Sequence, residues 1–135
     1  MKTSRAPAQP YITRDGSEIR ELMHPAVHGA SHGVARQSLA EATVLPGQKT
    51  HAHRHRVSEE LYHFTSGHGR VMLGTRTFDV DPGDTVCIAP GVEHSVENTG
   101  TVALTFLCMC APAYAQTDTE LTDTAASASF PHGGK

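Results

Sequence analysis

Between Gln37 and Ala111 the sequence alternates apolar and polar residues in short runs, and glycine or proline breaks the alternation at roughly 8–12-residue intervals. A period of two in runs too short for a stable helix puts successive side chains on opposite faces, which is strand geometry. Ser38, Ala40, Ala42 and Val44 share one face of the first such run, which ends at Pro46-Gly47. Further runs cover residues 49–55, 61–66, 70–73, 76–80, 85–89, 94–97 and 101–111, with a tight turn at Asp81-Pro82-Gly83-Asp84. Many short strands with strong turn chemistry between them predict an all-β sandwich or barrel.

The flanks are less regular. Residues 1–10 are polar with two prolines and are expected as a disordered arm. Residues 11–23 alternate weakly and suit an opening strand with a turn at Asp15-Gly16, although 18–23 would also fit one helical turn. His24-Pro25 stops that segment, and 26–36 reads as a small-residue loop carrying His28 and His32 at the surface. The domain is expected over 11–112, followed by a polar, largely disordered tail over 113–135, whose first part to Leu121 could lie along the outside of the barrel and which becomes low in complexity from Thr122.

A chain of 135 residues is one domain with a real core, and 5% aromatic residues without tryptophan predict an aliphatic one. The net charge of -3 with scattered basic residues carries no footprint of nucleic-acid binding. No apolar run reaches membrane-spanning length and the N-terminus lacks a signal-peptide core, so a cytoplasmic protein is expected. Cys108 and Cys110 lie two apart on one strand face, a poor geometry for a mutual disulfide, and Cys87 reads as a small buried hydrophobe.

Residues 47–67 (GQKTHAHRHRVSEELYHFTSG) concentrate the chemistry. His51, His53 and His55 alternate, so a strand would point all three to one face, and Glu60 follows after a short polar break. Imidazoles and a carboxylate converging on one concave face suit a borderline divalent transition metal. Residues 83–98 (GDTVCIAPGVEHSVEN) add His94 at the end of another strand. The spacing Gly47, five residues, His53, one, His55, four, Glu60, six, Gly67 resembles the first cupin motif. Gly83, five residues, Ala89, one, Gly91, two, His94, three, Asn98 resembles the second, except that Ala89 stands where proline is usual and Pro90 follows it.

The resemblance implies a double-stranded β-helix, the cupin jelly-roll barrel, with one divalent ion (Fe, Mn, Ni, Cu or Zn) on His53, His55, Glu60 and His94. An octahedral ion would keep two open positions, whereas tetrahedral zinc would close the site. His51 is expected behind the ligands as a base, with an alternative as a ligand itself, and Tyr62 as an acid or hydrogen-bond donor in an apolar lining with Phe64, Val71, Leu73, Val86, Ile88, Val96 and Phe106. The face Val102, Leu104, Phe106, Cys108, Cys110 is expected inside, with Cys108 near the metal and Cys110 deeper. A small polar or anionic metabolite is the expected ligand, and a homodimer paired through edge strands the expected assembly. An enzyme is favoured, either a dioxygenase or an isomerase or lyase working through an enediolate. The alternative is a non-catalytic module that binds a metal or small ligand. The fold hosts too many chemistries to choose.

Overall fold

A computed structural model describes residues 1–123. Its strands form two antiparallel sheets. One runs in the order β1 (Tyr11–Ile12), β2 (Glu18–Met23), β3 (Ser38–Val44), β10 (Leu104–Ala111), β5 (Glu59–Ser66), β8 (Thr85–Ile88). The other runs β11 (Thr119–Leu121), β4 (His53–His55), β9 (His94–Asn98), β6 (Gly69–Leu73), β7 (Arg76–Val80). Strands distant in sequence become neighbours, β3 and β5 both beside β10 and β4 beside β9, which is the double-stranded β-helix.

Alternation decides which side chains meet between the sheets. Ser38, Ala40, Ala42 and Val44 of β3, Glu60, Tyr62 and Phe64 of β5, and Leu104, Phe106, Cys108 and Cys110 of β10 are all buried. Val102, expected on the same face, precedes the strand and is exposed. The core is less aliphatic than composition predicts, because the few aromatic rings gather at its centre. Phe106 stacks 4.8 Å from both Phe64 and Tyr62, ring centroid to centroid. Each such ring stabilises the fold by about 2–3 kcal/mol through area removed from water.

The turn from β5 to β6 leaves no choice at residue 67. Gly67 has φ +87°, and a Cβ there would stand 2.6 Å from the Ala103 carbonyl oxygen. Only glycine meets both demands.

Three expectations about the flanks need correction. Residues 1–10 are not a loose arm: Thr3 Oγ1 donates to the Leu22 carbonyl (2.6 Å), Arg5 pairs with Glu41 (2.7 Å), and Arg20 donates to the Ala8 carbonyl (2.6 Å). Residues 18–23 are strand, and the expected loop after them contains the helix α1 (Pro25–His32). Histidines cap that helix in place of the usual serine or aspartate: Ala26 N–H donates to His24 Nδ1, and His24 N–H donates to His28 Nδ1, both at 3.0 Å. Left-handed Gly33 ends it. Third, the domain does not stop at 112. Residues 116–118 form a short 3-10 turn, and β11 pairs with β4, setting Thr119 opposite His55. Asp118 accepts from Val57 N–H (2.8 Å) and Ser58 N–H (3.0 Å), closing the loop between β4 and β5. Of the expected tail, 124–135 lie outside the described residues.

Candidate metal centre

Two residues of β4 supply two imidazoles because the strand alternates: His53 and His55 are buried while Arg54 between them points out to Glu120 (2.8 Å). Register brings His94, the first residue of β9, directly opposite His53. Glu60, the second residue of β5, reaches across from the other sheet. The four side chains offer ligand atoms within 4.8 Å of one another. His55 Nε2 and His94 Nε2 stand 3.1 and 3.4 Å from Glu60 Oε1.

Each imidazole is held by its far nitrogen. His53 Nδ1 donates to the His51 carbonyl (2.9 Å) and His94 Nδ1 to the Val92 carbonyl (2.9 Å). His55 Nδ1 lies 3.0 Å from Thr119 Oγ1, whose own proton goes to the Ala115 carbonyl (3.0 Å), so the imidazole is again the donor. With Nδ1 protonated, every Nε2 carries its lone pair toward the centre. Glu60 Oε1 and His94 Nε2 are buried without a hydrogen-bond partner. An orphaned buried acceptor costs about 1–3 kcal/mol. A divalent cation satisfies both at once, and the donor set fits one.

Charge follows the same logic. Burial opposes ionisation of Glu60, but the two imidazoles beside it outweigh burial and hold its carboxyl well below the usual range. Burial pushes His53 down to about 4, and His94 and His55 add to the effect against the attraction of Asp15, so His53 is neutral near pH 7. His55 moves up: burial lowers it, but Glu60 prevails.

Beside the four ligands opens a cavity of about 540 Å³, its mouth included. One wall is the N-terminal hairpin, from which every odd residue between Tyr11 and Glu21 faces inward: Tyr11, Thr13, Asp15, Ser17, Ile19 and Glu21. Tyr114 and Thr119 close another side. Asp15 is the notable member. Its Oδ1 accepts from the Thr13 hydroxyl, from Ser17 N–H (3.0 Å) and from Ser17 Oγ (2.8 Å), leaving Oδ2 aimed at His53 Nε2, 3.5 Å away. Burial disfavours the Asp15 anion, yet His53 and those hydrogen bonds bring its carboxyl below the ordinary value.

The expected site residues divide. His53, His55, Glu60 and His94 come together, and Tyr62 lines the cavity, its ring edge-on to His94 at 5.8 Å. Burial, and then Glu60, raise the Tyr62 phenol well above 10, so it keeps its proton. His51 does not share the inward face, because β4 begins only at His53; what it offers the site is its carbonyl. Phe64, Val71, Val86, Ile88 and Val96 fill the core, with Leu73 packed against it, and do not line the cavity. Both thiols of β10 line the cavity, but the order is reversed: Cys110 donates to Glu60 Oε2 at 3.1 Å, whereas Cys108 sits opposite Tyr62 in the ladder. Among the described residues, His28 and His32 belong to helix capping and form no metal cluster. Sequence reasoning missed Asp15, Glu21 and Tyr114, although the inward odd positions from 11 to 21 carried a period-two signal.

The fold and the donor set define a small single-barrel protein with a three-histidine, one-carboxylate centre. Residues 40–110 match the cupin domain family, and the chain belongs to it. The chain is 46% identical over 123 residues to an uncharacterized protein of Methanocaldococcus jannaschii, covering 91% of this chain and 95% of the relative. It is 30% identical over 96 residues to the oxalate-binding protein of Thermotoga maritima, covering 71% and 78%. Among solved structures, the nucleoside dehydratase Pac13 superposes with a TM-score of 0.72 at 13% identity over 91% of each chain, a likeness of fold alone.

Proposed function

We propose that this cupin is a mononuclear divalent-metal enzyme of the isomerase or lyase kind, acting on a small polar metabolite, with His53, His55, Glu60 and His94 as ligands. The observation that carries the metal is the pair of buried orphans, Glu60 Oε1 and His94 Nε2. A bound ion would supply positive charge that polarises an oxygen of the substrate. Mn, Fe, Ni, Cu and Zn all accept this mixture of imidazole and carboxylate.

The chain's own residues supply the rest. The carbonyls of His51 and Val92 and the hydroxyl of Thr119 orient the ligands. Asp15 Oδ2, which takes none of the anchoring hydrogen bonds that Oδ1 holds, is placed to take a proton from the substrate and return it. Tyr62 keeps its proton and is a donor for a substrate oxygen. His51, through its carbonyl, acts as a positioning residue. A carboxylate beside the ligands suits a reaction that turns on proton transfer, and this is why the isomerase or lyase reading is preferred here. The name of the Thermotoga relative favours a second reading, a module that binds a small ligand without turnover.

Deuterium wash-in separates the two. Protein loaded with Mn²⁺ is incubated in D₂O with a panel of hydroxyaldehydes, hydroxyketones and diols, and exchange at carbon is followed by NMR. Exchange that Asp15→Asn slows by about 100-fold or more supports the enzyme. Full metal occupancy without exchange on any compound supports the binding module.

The assembly is proposed to be a homodimer. Across the outer face of the six-stranded sheet Leu39, Met109 and Leu61 form one register row, with Met109 exposed. A cytoplasmic location is proposed from the three free thiols. No helix among the described residues is long and apolar enough to cross a membrane.

A further inference from the structure

The polar groups around the cavity are unbalanced. Asp15, Glu21 and Glu60 line it, and no lysine or arginine does among the described residues. Two of these carboxylates present an oxygen to which no hydrogen-bond donor of the fold is assigned. Glu21 Oε2 accepts from the Tyr11 hydroxyl (2.6 Å), but Glu21 Oε1 is buried with no partner. Asp15 Oδ2 lies 3.5 Å from His53 Nε2, which is itself an acceptor because its Nδ1 carries the proton. A divalent ion with Glu60 alone would leave the site net positive and attractive to anions. Counting Asp15 and Glu21 turns the same site net negative. Around the hairpin the carboxylates make acceptors the prevailing polar groups, against which the Tyr62 hydroxyl is the donor facing a ligand.

We propose that the cavity takes an uncharged, polyhydroxylated metabolite whose hydroxyl groups donate to Glu21 Oε1 and Asp15 Oδ2, and that it discriminates against small dianions such as oxalate. The proposal rests on the metal reading above and names the class of substrate for it. A dianion brings four acceptor oxygens and no donor, and its outer carboxylate would face two carboxylates in a partly desolvated space, where like charges repel strongly. A cationic ligand would satisfy the acceptors but would sit beside a divalent ion. A neutral polyol avoids both penalties: one oxygen can approach the metal while other hydroxyls donate to Glu21 Oε1, an orphan acceptor, and to Asp15 Oδ2. This sets the chain apart from its relative in Thermotoga maritima, whose name states oxalate binding.

The test uses the full chain with Mn²⁺ as the metal, its stoichiometry measured first, and two probes, erythritol and oxalate. Water-proton relaxation of the Mn²⁺ protein reports displacement of metal-bound water, and calorimetry reports affinity. Erythritol is expected to bind more tightly than oxalate. Glu21→Gln keeps the shape of the side chain and removes its charge; it should tighten oxalate by about tenfold and weaken erythritol by a similar factor. Asp15→Asn should act in the same direction, with circular dichroism confirming that the hairpin is intact. Oxalate binding at or above the affinity of erythritol, or an oxalate affinity that Glu21→Gln leaves unchanged, overturns the inference while full Mn²⁺ occupancy leaves the metal reading standing. A chain that takes up no Mn²⁺ overturns both.

Discussion

On one side of the cavity β4 and β5 present His53, His55 and Glu60, with the fully buried His94 of β9 grouped with them; on the other the N-terminal hairpin presents Tyr11, Asp15 and Glu21. The ligand side is fixed by main-chain ladders, and two of its three imidazoles are tied to backbone carbonyls two residues away. Hairpin acceptors are fixed mostly by neighbouring side chains, Asp15 by the Thr13 and Ser17 hydroxyls together with the Ser17 N–H, and Glu21 by Tyr11. A wall held by the backbone tolerates little change, because its geometry is the geometry of the fold. A wall held by side chains can change its chemistry without dismantling the barrel. The first therefore sets whether a metal binds, and the second sets what approaches it.

The largest expected effect separates the two walls by metal content. His94→Ala should bring Mn²⁺ after dialysis from about one equivalent per chain to near none, because it removes the least exposed ligand. Asp15→Asn and Glu21→Gln should each keep the metal. Elemental analysis of the three variants decides it, and loss of metal in Glu21→Gln would mean that the walls are not separable.

The next effect compares the turns that support each side. Gly67→Ala meets both a positive φ and the Ala103 carbonyl at 2.6 Å, so it should cost about 3 kcal/mol or more in urea unfolding. Gly16 in the hairpin also has positive φ, but a Cβ there meets only His51 Cδ2 at 3.8 Å. Gly16→Ala should cost about 1–2 kcal/mol. Equal losses would contradict the distinction.

The same contrast explains what could be read from the sequence. The ligand wall was legible because spacing along strands is a backbone property: His53 and His55 two apart and Glu60 five later leave few arrangements in any barrel. His51 misled because alternation was extended two residues beyond the point where the chain joins β4. The sequence presents Asp15 as a turn residue, since a turn and a site wall ask for the same small polar side chains. Tyr114 and Thr119 were lost with the tail: a three-residue strand gains its stability from pairing with β4 and shows no periodicity of its own. The helix α1 was missed because its caps are histidines.

A pH effect of intermediate size tests how the walls couple in the metal-free protein. His53 has a folded value of about 4 against an ordinary 6.5, through burial partly offset by Asp15. Between those values the unfolded chain binds the proton and the folded chain does not, so stability rises with pH across that window and falls as pH drops through it. The whole window is worth about 3 kcal/mol. Glu60, also depressed, adds loss in the same direction at its lower end, whereas His55 is raised and its contribution disappears only as pH rises. Urea midpoints at pH 6.5 and 4.5 should differ accordingly, and His53→Gln should flatten the difference. Asp15→Asn should steepen it, because the attraction that opposes burial is gone. A midpoint independent of pH in the wild type would refute the assignment of a neutral His53.

The smallest expected effect lies where the segment after 112 touches the ligand wall. Thr119 Oγ1 accepts from His55 Nδ1 and donates to the Ala115 carbonyl, so its single proton dictates which nitrogen of His55 faces the centre. Thr119→Val replaces the hydroxyl by a methyl of similar size, leaves the β11–β4 pairing in place and strands the buried Nδ1–H. His55 then gains by moving its proton to Nε2, toward Glu60 Oε1 at 3.1 Å, which blocks the lone pair a metal needs. Mn²⁺ affinity should fall by about tenfold, the lower end of what losing such a partner costs. The unfolding midpoint of the metal-free protein should move much less, and Thr119→Ser should restore binding. Wild-type affinity in Thr119→Val would show that packing against Tyr114, 5.9 Å from the imidazole between ring centroids, orients His55 by itself.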